Sequence, residues 1–116
     1  MSTFKDLIRQ VKSEIREISV EDARKLGKGG AVLVDVREAD EFSQGHVPGA
    51  VFIPRGQLET TIEARIPRDQ HVVIYCASGN RSALAAVTLA EMGYASCASM
   101  AGGFKGWAQA GHPVEG

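Results

Sequence analysis

Cysteine is scarce in this chain, and a strong charge of either sign, long apolar runs and internal repeats are absent; each shortage removes a class of protein. The two cysteines, Cys76 and Cys97, are too few for a disulfide scaffold. They also form no close pair of the kind that builds a redox dithiol or a zinc site. A reducing cytoplasm is therefore the expected location. Thirteen lysines and arginines face fourteen acids, leaving a formal net charge of -1. That balance lacks the basic field that dominates nucleic-acid binding, so no nucleic-acid partner is expected, and substrate recognition must be local. The opening MSTFKDLIRQ lacks the apolar run of a secretory signal, and Asp6, Glu14 and Glu17 are unlike a transit peptide. No run elsewhere is long enough to cross a bilayer, so no membrane association is expected. The three histidines have no common spacing, and no metal is assigned.

What is present is an ordinary globular balance, 44% hydrophobic and 23% charged over 116 residues, which suits one compact domain. Phe4, Leu7, Ile8, Val11, Ile15 and Ile18 recur at helical spacing. Residues 1–18 are accordingly expected to form a leading amphipathic helix packed on a domain that occupies 19–116. Ser19 followed by Asp22 resembles a capping box for a short helix through Leu26, which Gly27, Gly29 and Gly30 end. Ala31 to Val34, Ala50 to Ile53 and Val72 to Tyr75 are continuous apolar runs without the alternation of a half-exposed strand, so both faces should be covered. Ala95 to Ser99 reads as another core strand. Helices are expected over Glu38 to Phe42, Gln57 to Arg65, Ser82 to Met92 and Phe104 to Ala110. Strands alternating with helices predict an α/β fold with a parallel sheet covered on both faces.

In such a sheet, ligands bind beyond the carboxyl ends of the strands. One predicted strand ends at Asp35, Val36 and Arg37, the next at Pro54 and Arg55, and another at Cys76. That rim collects a thiol, a carboxylate and guanidinium groups. Cys76 opens the loop CASGNRS, which leads directly into a helix, so its sulfur faces unpaired amides and the positive end of the helix dipole. A thiol of pKa about 8.5 is only a few per cent ionised at pH 7, and lowering it by about two units makes thiolate the majority form. Gly79 tolerates the sharp turn that points amides at an anion. Arg81 can either orient the loop from behind through Asp35 or reach a substrate anion in front, and the sequence leaves both open. Arg55 enters as an anion-binding candidate through its strand-end position alone. A buried cysteine ending a strand is ordinarily a small hydrophobe; the glycine-containing loop, the arginine and the following helix set Cys76 apart. Cys97 lacks such a setting and is read as core filling.

The stretch VLVDVREADEFSQGHVPGAVFIP, the loop CASGNRS and the tail GGFKGWAQAGHPV together resemble the recurring signatures of the rhodanese homology domain, and most closely its single-domain sulfurtransferases. The resemblance implies a central five-stranded parallel sheet flanked by helices. It also implies that Cys76 carries a persulfide, with Ala77, Ser78, Gly79, Asn80, Arg81 and Ser82 as the cradle. Asp35 and Arg37 match the acidic and basic pair of the first signature, and Gly45, His46, Pro48 and Gly49 its turn. Four residues separate Cys76 from Arg81. The related phosphatases have a loop one residue longer, and the shorter loop favours sulfur over a phosphoryl group with its several oxygens.

The implied chemistry is transfer of a sulfane sulfur through Cys76, from a donor such as thiosulfate to a thiophilic acceptor such as cyanide or a thiol, without metal or organic cofactor. Arg37, Arg55 and Arg81 are the candidates to hold the donor anion. Family members that use thiosulfate carry basic residues directly after the cysteine, whereas Ala77 and Ser78 are neutral. Protein persulfides, low-molecular-weight persulfides and mercaptopyruvate therefore stand beside thiosulfate as donors, and a protein is a further candidate acceptor. A sulfur-relay or protein-binding module without turnover is the alternative, followed by a phosphatase or arsenate reductase. An ionised thiol needs no base, so His46 is expected to make a structural hydrogen bond. Trp107 is expected to pack the last helix.

Overall fold

The computed structural model describes residues 3–116; Met1 and Ser2, the start of the expected leading segment, lie outside the described residues. Five strands, β1 (Glu17–Ile18), β2 (Val32–Asp35), β3 (Val51–Phe52), β4 (Val72–Tyr75) and β5 (Cys97–Met100), alternate with helices α1 (Phe4–Glu14), α2 (Val20–Lys28), α3 (Ala39–Gln44), α4 (Leu58–Arg65), α5 (Asn80–Glu91) and α6 (Gly103–Gln109). A 3₁₀ turn over Arg55–Gln57 precedes α4. The strands form one parallel sheet in the order β1-β5-β4-β2-β3. The expected α/β architecture, with five parallel strands flanked by helices, is what forms.

Burial explains why the apolar runs become central strands. Side chains alternate across a strand, so β2 and β4 supply both faces of the sheet. Val34, Val36, Val72, Ile74 and Cys76 join Leu58, Ile62 and Leu89 in one core under α4 and α5. Leu33, Val73 and Tyr75 join Ala23 and Trp107 in a second core under α2 and α6. Each fully buried aliphatic side chain contributes about 1.5–3 kcal/mol of transfer free energy.

The leading helix is shorter than its hydrophobic spacing predicts. A capping box starts it, the Asp6 amide donating to Thr3 Oγ1 and the Thr3 amide to the Asp6 carboxylate. It ends at Glu14, and Glu17–Ile18 pairs with β5 instead of continuing the helix. The reason is geometric: Ile15 packs against the core under α4 and α5, whereas Ile18 enters the one under α2 and α6. One helical face cannot reach both sides of a sheet. At the start of α2, Ser19 Oγ accepts the Asp22 amide at 3.0 Å, the cap the sequence implied.

The chain leaves β2 for β3 on one side and leaves β4 for β5 on the other. In open parallel sheets ligands bind where such connections diverge, here beyond the carboxyl ends of β2 and β4. Cys76 follows β4 directly, in the middle of that edge. Among the described residues no helix is long and apolar enough to cross a membrane.

Candidate active site

Cys76 is 1% exposed and its side chain lies on the α5 side of the sheet. The chain must reverse within three residues to start α5, and Gly79 makes that turn at φ +109°, a conformation that side chains disfavour. Two amides consequently converge on the sulfur: Gly79 N lies 3.1 Å and Ser82 N 3.4 Å from Sγ. The Ser82 hydroxyl lies 3.5 Å away. Burial pushes the Cys76 thiol up, but hydrogen bonds from the Ser82 side chain and from the Ser82, Gly79 and Ser78 amides outweigh it, and its pKa falls below the ordinary thiol value. The start of the twelve-residue α5 adds the positive end of a helix dipole. Of the remaining loop residues, Ser78 is exposed, and Ala77, Asn80 and Arg81 are half-buried at the mouth.

The loop is held from behind by the turn after β5. Phe104 N donates to Cys76 O at 2.8 Å and Lys105 N to Ala77 O at 3.1 Å. This approach requires Gly103, at φ +58°, because a Cβ there would lie 2.5 Å from Cys76 O and 2.6 Å from Ala77 O. In the sequence Gly103 is one of several glycines in the tail GGFKGWAQAGHPV, placed with the packing face of the last helix, and nothing local marks its approach to the Cys76 loop. The second residue not evident from sequence is Ser99, a fully buried serine in β5 whose hydroxyl lies 2.8 Å from that of Ser82. The available signal was a hydroxyl in a strand otherwise predicted to be core.

Asp35 and Arg37 lie on the opposite face from the sulfur, alternating with Val34 and Val36. Arg37 donates from Nε and Nη2 to Asp35, the shortest bond being 2.7 Å, and from Nη2 to Gly45 O, also at 2.7 Å. Its guanidinium carbon sits 4.3 Å from the centre of the Phe104 ring. Desolvation works to lower its pKa, but the Asp35 carboxylate more than compensates and raises it. Tyr75, packed beside the pair, is held protonated by its burial and by the same carboxylate. Arg37 is thus committed to joining β2, the Gly45 turn and Phe104, and is not placed to hold a donor anion. Because Arg37 occupies Asp35, Arg81 does not orient the loop through that carboxylate. Arg81 Nη2 instead faces Glu41 at 3.6 Å. Arg55 reaches back along α4 and α5, 2.8 Å from Glu59 and 3.4 Å from Thr88 Oγ1.

His46 stacks on Phe42 at 3.8 Å, and its Nδ1 meets Phe42 O at 2.9 Å. None of its hydrogen-bond partners belongs to the Cys76 loop. Trp107 is buried under the sheet and donates from Nε1 to Pro113 O. Cys97 is half-buried, and burial pushes its thiol up to about 12. Among the described residues no three histidine, cysteine or carboxylate side chains converge as metal ligands would. A cleft of about 460 Å³, lined by α2, the start of β2, the segment before β3 and Trp107, includes no residue of the Cys76 loop.

The family model of the rhodanese-like domain matches residues 19–110. The thiosulfate sulfurtransferase GlpE of Pseudomonas savastanoi is 37% identical over 103 residues, spanning 89% of this chain and 95% of its own. A sulfurtransferase of Allochromatium vinosum is 39% identical over 72% of this chain and 77% of its own. Among solved structures, a Rhodopseudomonas palustris protein of unknown function, described as a possible tyrosine phosphatase, superposes with a TM-score of 0.87 at 36% identity, covering 99% of this chain and 96% of that one. A human single-domain sulfurtransferase superposes with a TM-score of 0.73 at 27% identity, covering 80% and 95%. With its sheet order, its loop between β4 and α5 and these matches in agreement, the chain belongs to the rhodanese-like domain family.

Proposed function

We propose that this protein is a sulfurtransferase that carries a sulfane sulfur on Cys76. The observation that supports this most directly is the pair of amides, from Gly79 and Ser82, aimed at Sγ inside a short loop. Such a cradle stabilises a single anionic sulfur. In the first step the Cys76 thiolate attacks the outer sulfur of the donor; for thiosulfate the S–S bond breaks and its electron pair leaves with sulfite. In the second step an acceptor thiolate or cyanide attacks the outer sulfur of the persulfide, and the Cys76 thiolate leaves. The protein supplies the thiolate, its orientation and a site shielded from water. Relatives named thiosulfate sulfurtransferase make thiosulfate the first donor to test. With Ala77 and Ser78 neutral, Arg55 and Arg81 are the cations we assign to a donor anion. Arg81 is held by a partly exposed ion pair, and Arg55 by another and a long bond to Thr88; such a pair is worth no more than about 1 kcal/mol, so either side chain can turn toward an anion at small cost.

A phosphatase is the second reading, raised by the description of the Rhodopseudomonas relative. Phosphoryl transfer calls for a guanidinium directed at the equatorial oxygens. Here only four residues separate Cys76 from Arg81, one fewer than in the related phosphatases, and the shorter loop leaves less room for those oxygens. Intact mass spectrometry separates these readings. After exposure to thiosulfate, the wild type should gain one sulfur that cyanide removes, and Cys76→Ser should gain none. Hydrolysis of an aryl phosphate without sulfur loading would overturn the proposal. Failure of both reactions, with a partner protein retained, would favour a binding module.

A further inference from the structure

Ser82 Oγ has one proton and three neighbours to share it with. It lies 3.2 Å from Gly79 O, 3.5 Å from Cys76 Sγ and 2.8 Å from Ser99 Oγ. Ser99 is fully buried, and the only hydrogen-bond partner of its hydroxyl among the described residues is Ser82 Oγ. The geometry allows either hydroxyl to donate; the Ser99 proton has no other acceptor among the described residues, so donation from Ser99 to Ser82 satisfies it whichever way the Ser82 proton points. Ser82 is then left with a two-position choice. While Cys76 is a thiol, the thiol proton points to Ser82 Oγ and Ser82 donates to Gly79 O. Once Cys76 ionises, the Ser82 proton swings to Sγ. Gly79 O loses little in that exchange, because it also accepts the Ala83 amide at 3.2 Å.

We infer that Ser99 is a positioning residue for Cys76: by donating to Ser82 Oγ it holds that hydroxyl in place and frees its proton for the ionised sulfur. The inference rests on the reading of Cys76 as a thiolate nucleophile and extends the site to β5, one strand beyond the loop. Hydrogen bonds in series polarise one another in a dry interior, so the Ser82 hydroxyl is a stronger donor with Ser99 behind it than alone. Ser99 itself is anchored by its backbone, its amide donating to Arg16 O at 2.9 Å in the pairing with the β1 segment. The junction between α1 and the sheet thereby helps to set the position of the hydroxyl that supports the nucleophile.

The test is the pH dependence of Cys76 alkylation by iodoacetamide, read at the Cys76 peptide by mass. It needs no sulfur donor, so it reports on Ser99 even if sulfur loading fails. Ser99→Ala should move the midpoint upward by about half to one pH unit, slowing alkylation below the midpoint about three- to tenfold. Ser99→Thr, which keeps the hydroxyl, should hold the midpoint close to the wild-type value; should its added methyl prevent folding, the double-mutant comparison carries the test. In a Ser82→Ala background, where the relay is already cut, Ser99→Ala should produce no further shift. An unchanged midpoint in Ser99→Ala, or an equal shift with Ser82 absent, would overturn the inference.

Discussion

Replacing Gly103 by alanine tests whether the Cys76 loop is set by the turn behind it. The new Cβ would lie 2.5 Å from Cys76 O, 2.6 Å from Ala77 O and 2.7 Å from Ala77 C. All three are backbone atoms, so no side chain can swing aside. A non-glycine residue at φ +58° adds a local cost of about 1–2 kcal/mol. Displacing the turn also breaks the bonds from Phe104 N to Cys76 O and from Lys105 N to Ala77 O, each worth about 1 kcal/mol. The total is about 3–4 kcal/mol, a large share of the ~5–15 kcal/mol that holds a domain folded. In a domain of this size it should lower the melting temperature by about 10–20 °C. Gly56→Ala is the control, since nothing lies within 4 Å of the added carbon and its effect should stay within about 0.5 kcal/mol. Circular dichroism melts and the alkylation rate of Cys76 read the two effects separately. If Gly103→Ala melts with the Gly56→Ala control and its Cys76 reacts as in the wild type, the turn does not set the loop.

Three further outcomes follow from the same geometry. Arg37→Ala leaves the fully buried Asp35 carboxylate without its cation and should cost about 3–5 kcal/mol by chemical denaturation. Asp35→Leu combined with Arg37→Met should cost less than the sum of the single changes, because no lone charge remains; additive losses would contradict this. Folded Cys76 has a lowered pKa and so binds fewer protons than an unfolded thiol of pKa about 8.5. Its stabilisation relative to Cys76→Ala should therefore be complete above about pH 8.5 and disappear as pH falls through the folded value, a sign that denaturation at several pH values checks. Cys97, its thiol pushed up to about 12, remains protonated near neutrality, so Cys97→Ala should load the same single sulfur on intact mass as the wild type, and a second sulfur on wild-type Cys97 would count against this.

Much of the fold was legible because its determinants are local. Val72–Tyr75 is the strand expected from an apolar run buried on both faces, β2, β3 and β5 differ from expectation only at their ends, and β1 is a strand that no apolar run announces. Ser19 caps α2 through a bond three residues away, the kind of signal a sequence carries openly. The end of the leading helix at Glu14 is not legible in the sequence for the opposite reason. The spacing of Ile15 and Ile18 suits a helix, but β5 lies far along the chain, and pairing with its free edge wins. In the same way, the fold removed one of the two roles open to Arg81 by introducing a competitor: Arg37 engages Asp35 through two nitrogens.

The sequence by itself determined that Cys76 ends a buried strand, that Gly79 turns the chain after it, and that a helix start faces its sulfur. These features lie within seven residues and depend on propensity, turn chemistry and the helix dipole. Only the tertiary structure decided what surrounds that loop. The close approach of Gly103, the hydroxyl of Ser99 behind Ser82, the capture of Asp35 by Arg37 and the outward pairing of Arg81 with Glu41 all join segments distant along the chain. Side-chain reach and sheet order set these contacts, and neither is encoded in the spacing of any one motif.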